Sequence, residues 1–125
     1  MGFKIDTTDN YTTILPDVET LDASMADLMR ARCQELRYQG HPNFIIDLSG
    51  AGLIPEAAYE ALRSIHTETY EQNRSVIFTG IPETALQAMK KQDLHHEINI
   101  TPTLQEAIDM VNMEILERDL FNEAP

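Results

Sequence analysis

The residue types that most often carry chemistry are sparse in this chain and poorly spaced for it. Four histidines invite a metal hypothesis, but His95 and His96 are neighbours expected to project in different directions, and His41 and His66 have no local partners. The pattern therefore implies solvated histidines and no metal site. Acid/base catalysis by paired carboxylates needs two acids converging in a cleft, whereas the acids here are dispersed over predicted helix faces. Cys33 falls on an apolar helical stripe, where a small buried hydrophobe is a commoner role than a nucleophile. Gly50-Ala51-Gly52 lacks the third glycine of a dinucleotide fingerprint and reads as a turn. No catalytic residue and no cofactor is assigned, and the chain is not expected to be an enzyme.

What remains is charge and apolar surface. Twenty-one acidic against nine basic side chains give a formal charge of −12 over 125 residues, with 42% apolar composition. That charge repels phosphate backbones and anionic lipid heads, so nucleic acid is not an expected partner. A protein partner with a basic patch is the complementary class. With Cys33 as the only cysteine, an intrachain disulfide is impossible, which fits a reducing cytoplasm. The first residues lack a long apolar segment, and no later stretch approaches bilayer-spanning length, so direct membrane insertion is not expected.

The elements that must position any surface follow from periodicity. Phe3 and Ile5 alternate with polar neighbours, and residues 11–15 are rich in strand formers, so a hairpin around residues 7–10 is predicted. Asp22 precedes a helix whose apolar positions are Met25, Leu28, Met29, Cys33 and Leu36, ending near Gly40. Phe44, Ile45, Ile46 and Leu48 form a continuous apolar run, the pattern of a central strand covered on both faces. Pro55 and Glu56 suit the first turn of a second helix carrying Ala58, Ala61, Leu62 and Ile65. A strand at residues 76–78, a short helix from Pro82 through Met89, and a brief strand at Ile98 and Ile100 follow. Thr103 and Glu106 have the spacing of a capping box for a last helix carrying Leu104, Ala107, Ile108, Val111 and Ile115.

The order ββαβαβαβα implies a single α/β domain with a mixed, mostly parallel sheet and four main helices. The domain is expected over residues 1–115. Residues 116–125 read as an acidic extension of the last helix, with Leu116, Leu120 and Phe121 at helical spacing. Such a stripe is expected to pack back on its own domain, with burial against a second copy, a homodimer, as the alternative.

Residues 44–54, Phe-Ile-Ile-Asp-Leu-Ser-Gly-Ala-Gly-Leu-Ile, followed at once by a helix, resemble the central segment of STAS domains, the bacterial anti-sigma-factor antagonist family. Leu21-Asp22-Ala23-Ser24, Gly80-Ile81-Pro82 and residues 101–107 resemble further family segments in the family's order. The resemblance implies the STAS fold and a regulatory protein-binding role. Its regulated members carry Asp-Ser-Ser-Gly where this chain reads Pro55-Glu56-Ala57-Ala58, so no phosphorylatable hydroxyl stands at the usual position. Glu56 mimics the sign of a phosphoserine but not its charge of about −1.5 to −2 or its geometry. The same carboxylate also complements a helix N-terminus, which requires no regulatory role.

The expected partner-binding surface is residues 53–59, naming Leu53, Ile54, Pro55, Glu56, Ala57 and Tyr59, joined by Asp22. Leu53 and Ile54 cannot easily both point inward from an extended segment, so at least one should be available to a partner. Asp22 is also expected as the N-cap of the first helix. The resemblance implies a kinase-type anti-sigma factor as partner, sequestered so that a sigma factor is freed. A STAS-type scaffold or subunit of a membrane transport assembly is the alternative.

Overall fold

The computed structural model describes residues 2–123. Strands β1 (Gly2–Thr7) and β2 (Thr12–Thr20) form the predicted hairpin, pairing antiparallel with Ile5 opposite Ile14 and Phe3 opposite Pro16. The Thr8 hydroxyl closes the turn by accepting the N–H groups of Asn10 and Tyr11. β2 runs five residues past Leu15, further than the sequence indicated. Its first half pairs with β3 (Phe44–Asp47) through Ile14, and its second half pairs with β4 (Ala51–Leu53) from Val18. Pro16, which has no N–H to give, falls in the gap between these two partners, so the strand survives it.

The remaining elements are α1 (Ala23–Tyr38), α2 (Tyr59–Glu71), β5 (Val76–Thr79), α3 (Glu83–Lys91), β6 (Ile100–Thr101) and α4 (Leu104–Glu123). The main strand order is β1-β2-β3-β5-β6, with β4 joined to β2, and every pairing except β1 with β2 is parallel. This is the expected single mixed-sheet α/β domain with four helices among the described residues. β3 and β5 are central and bury alternate residues on opposite faces. Phe44, Ile46, Val76 and Phe78 join Ile14 in one core with the buried faces of α1, α2 and α3, while Ile45 and Ile77 meet Ala107 and Val111 of α4 on the other.

Four local expectations are corrected. Leu28 is 56% exposed, because α1 turns Ala26, Met29, Cys33 and Leu36 to the core and leaves Leu28 on its outer side. Gly50 closes a 3-10 turn (Leu48–Gly50) but Ala51 and Gly52 belong to β4, a strand too short to show a periodic pattern. Ile98 is buried yet lies before β6, its N–H bonded to Leu94 O in the preceding turn. Finally, the tail does not pack back: α4 continues unbroken to Glu123, but Leu116, Leu120 and Phe121 are exposed. Ala107, Ile108, Val111 and Ile115 already take the side of the helix facing the sheet, and Leu116 and Leu120 fall on the opposite side. Residues 124 and 125 of the expected extension lie outside the described residues.

The start of α4 is capped as predicted, with the Glu106 N–H donating to the Thr103 hydroxyl at 3.2 Å. The Glu106 carboxylate accepts that hydroxyl at 2.9 Å, where a full capping box would have it accept the Thr103 N–H. Further along, the Tyr70 phenol donates to Glu114 at 2.7 Å and the Arg118 guanidinium to Ser75 Oγ at 3.0 Å, fixing the rest of α4 to the end of α2 and to the loop before β5.

Candidate docking surface

The predicted surface lies where β3 ends and the chain crosses to α2. At the end of β3, Asp47 Oδ1 accepts the N–H of Ser49 at 3.0 Å and so holds the 3-10 turn that reverses the chain toward β4. Gly80, just past β5, has φ +68 and presses so close that a Cβ there would meet Asp47 Oδ1 at 2.5 Å. Gly52 is required for a different reason: its Cβ would come within 2.7 Å of Glu19 O, so only a glycine lets β4 lie against β2 here. At the end of β4 the Leu21 N–H donates to Leu53 O at 2.8 Å, which sets Leu53 beside the entry to α1.

Asp22 follows at once and caps α1, accepting the Met25 N–H at 2.8 Å while its side chain stays exposed. The structure therefore brings the predicted Asp22 and Leu53 together, although they are 31 positions apart. The residues beyond Leu53 divide by burial. Ile54 and Tyr59 are 6% and 3% exposed and, with Ala58, plug the loop into the core under α1. Leu53 is 61% exposed, and Pro55, Glu56 and Ala57 face solvent with it.

Two members of the predicted contact set are thus largely covered: Ile54 and Tyr59 anchor the loop, and Ile54 reaches the surface only as part of the lining of a groove beside Leu53. The reason for Ile54 is the alternation that also frees Leu53. Tyr59 opens α2 and is buried in the same core as Ala61, Leu62 and Ile65 of that helix. Burial and the nearby charge of Glu56 push its phenol above the usual tyrosine range. Glu56 begins a 3-10 turn (Glu56–Ala58) before α2 starts, so it sits one turn ahead of the helix proper.

Beside Leu53 runs a shallow, mostly apolar groove of about 250 Å³, lined by Thr20, Leu53, Ile54 and Pro55 together with Thr84, Ala85 and Ala88 of α3. The contribution of α3 was missed in the sequence. The available signal was the right-handed crossover from β5 to β6, which puts α3 on the same face of the sheet as α1 and α2. Small residues at 85 and 88 then leave the groove open. The arrangement offers an exposed leucine, a proline edge and two exposed carboxylates, Asp22 and Glu56, the first of which also caps α1.

Elsewhere, His95 and His96 do not project apart as predicted. They sit on a 3-10 turn (Leu94–His96) with ring centroids 3.8 Å apart and the ring planes tilted by 39°. His66 is half-buried and stacks on Tyr70, so it is not a solvated side chain either. Burial pushes His66 below its usual range, while Glu114 opposes that shift. Cys33 is fully buried, as expected.

The STAS domain family model matches residues 3–107. The chain belongs to this family. Solved structures agree in fold: a Thermotoga maritima protein assigned as an anti-sigma factor antagonist superposes with a TM-score of 0.78 at 17% identity, covering 88% of this chain and 94% of that one. The anti-sigma factor antagonist SpoIIAA in its unphosphorylated form gives 0.66 at 17% identity, covering 89% and 98%. Murine Slc26a9, an anion transporter, gives 0.68 at 10% identity over 86% of this chain but only 18% of the transporter. A comparison with curated protein sequences returned no match. Among the described residues, no helix of this STAS domain is long and apolar enough to cross a membrane.

Proposed function

We propose that this STAS domain is a non-catalytic docking module of the cytoplasm, binding a protein partner through Leu53, Pro55, Glu56 and Ala57 together with Asp22. The observation that carries this reading is the division of the loop by burial. Ile54, Ala58 and Tyr59 seat it in the core, so the exposed Leu53 and Glu56 are held in fixed positions and lose little entropy when a partner covers them. The partner should bring a basic rim to Asp22 and Glu56 and an apolar side chain to the groove beside Leu53.

Likeness to anti-sigma factor antagonists favours a kinase-type anti-sigma factor as that partner, with competitive sequestration as the mechanism. Glu56 gives the surface a permanent negative charge where a hydroxyl would allow a switch, so docking is independent of phosphorylation at this position. The test is capture of partners from native lysate with the wild type, Leu53→Asp and Glu56→Lys, identified by mass spectrometry. Loss of a kinase-fold or sigma-linked protein with both variants supports the reading, and a partner set indifferent to both refutes it.

A second reading, a STAS scaffold within a membrane transport assembly, is favoured by the likeness to the corresponding part of Slc26a9. It predicts recovery of membrane proteins in the same capture. Asp22 separates capping from recognition: Asp22→Asn keeps a cap of equal quality and removes the charge, so weaker partner capture at unchanged stability assigns it to binding.

A further inference from the structure

We propose that the turn following α3 is a transition-metal site, in which Asp93, His95 and His96 bind one divalent cation of the zinc, nickel or copper class. One donor atom from each of these residues lies within 4.8 Å of the other two. The turn is fixed from below, since Leu94 is fully buried and Ile98 nearly so. It is fixed from the side by Arg63 of α2, whose Nε donates to the neighbouring Glu97 at 2.7 Å. Within it the His96 N–H reaches Asp93 O at 3.2 Å and the Glu97 N–H reaches Leu94 O at 2.9 Å. The two imidazoles and the carboxylate therefore start near one another on a braced segment of four residues, and little chain entropy is lost in closing a chelate.

The second, independent observation is His95 Nδ1. It is shut off from water and has no hydrogen-bond partner, a condition it shares among the described residues with Arg37 Nη1 and His66 Nε2, and of the three it alone belongs to a cluster of ligand-type side chains. A cation reached by a small rotation of this ring would give the imidazole the partner it lacks. A tetrahedral ion with donors at about 2.0–2.2 Å holds them about 3.3–3.5 Å apart, so side-chain adjustments on the order of 1 Å close the set. Two imidazoles and one carboxylate suit zinc, nickel or copper and are a poor set for calcium or magnesium, which take oxygen ligands. Three protein donors leave a coordination position for water or for a group supplied by another molecule.

The test is isothermal titration of the untagged full chain with zinc chloride and with nickel chloride in a non-chelating buffer. One cation per chain is expected, with affinity falling at least about tenfold in His96→Gln and in Asp93→Asn. His41→Gln, which alters a histidine outside the turn, should bind as the wild type does. The double variant His95→Gln/His96→Gln should bind none, and zinc should raise the thermal midpoint of the wild type but not of that variant. Asp93 and His96 are exposed, so their variants remain folded and carry the test even where loss of His95 disturbs the turn. Absence of binding up to millimolar zinc, or a single site that survives the double variant in a folded chain, overturns the assignment.

Discussion

Replacing Gly80 by alanine tests how the docking loop is held. Two costs are separable. Placing a Cβ at φ +68 costs roughly 1–2 kcal/mol for any non-glycine residue. The added Cβ also meets Asp47 Oδ1 at 2.5 Å and Ser49 N at 3.0 Å, so Asp47 must swing away and release the Ser49 N–H. Losing that hydrogen bond costs about 1–2 kcal/mol more. The reduced entropy of the unfolded alanine variant returns about 0.4–1 kcal/mol, leaving a net destabilisation of about 1.5–3 kcal/mol. Gly40 supplies the control, because its φ is +93 but nothing lies within 4 Å of a Cβ there. Gly40→Ala should therefore carry only the backbone cost. Urea denaturation followed by circular dichroism should place Gly80→Ala about 1–2 kcal/mol below Gly40→Ala. In an Asp47→Ala background most of that difference should vanish, since the colliding carboxylate is gone. Equal destabilisation by the two glycine variants, or a difference unaffected by Asp47→Ala, would refute the claim that Gly80 is required by the Asp47 turn.

Three further outcomes are expected. Cys33 is fully buried and its thiol is pushed up to about 12 by burial, so at pH 8 it should react with a disulfide reagent only as fast as the chain unfolds; rapid labelling of the native protein would contradict this. Val111→Ala should cost about 1.5–3 kcal/mol in chemical denaturation, whereas Leu116→Ala on the exposed side of α4 should change stability by less than about 0.5 kcal/mol. Burial and then Glu114 push the Tyr70 phenol well above its usual range, so the native state keeps a proton that the unfolded chain loses. Stability should accordingly fall as pH rises past about 10, and Tyr70→Phe, though less stable at pH 8, should show a shallower alkaline decline.

The fold was largely legible because its signals are local. The central strands announce themselves as continuous apolar runs, since both faces are covered, and the Thr103–Glu106 cap is readable at its spacing. The failures share a physical cause: each depends on a partner that sequence does not name. β4 exists only because Gly52 lets three residues lie against the far half of β2, and Pro16 is tolerated only because two different strands pair on either side of it. Leu28 and the tail leucines were misjudged because helical spacing defines a stripe but not which side of a two-faced helix meets the sheet.

The same distinction governs the candidate site. Alternation established that Leu53 and Ile54 must part, and the structure shows Leu53 outward. For Tyr59 the alternation ends, because a 3-10 turn intervenes between the extended loop and α2 and rotates the helix relative to it. A tyrosine that looked like a contact residue becomes the plug that holds Glu56 in place. Enlarging the void with Tyr59→Ala should therefore weaken partner capture and lower stability together, whereas Leu53→Asp should weaken capture alone. An equal loss of stability in both variants would mean that Leu53 also serves the core, and the division of the loop into anchors and contacts would fail.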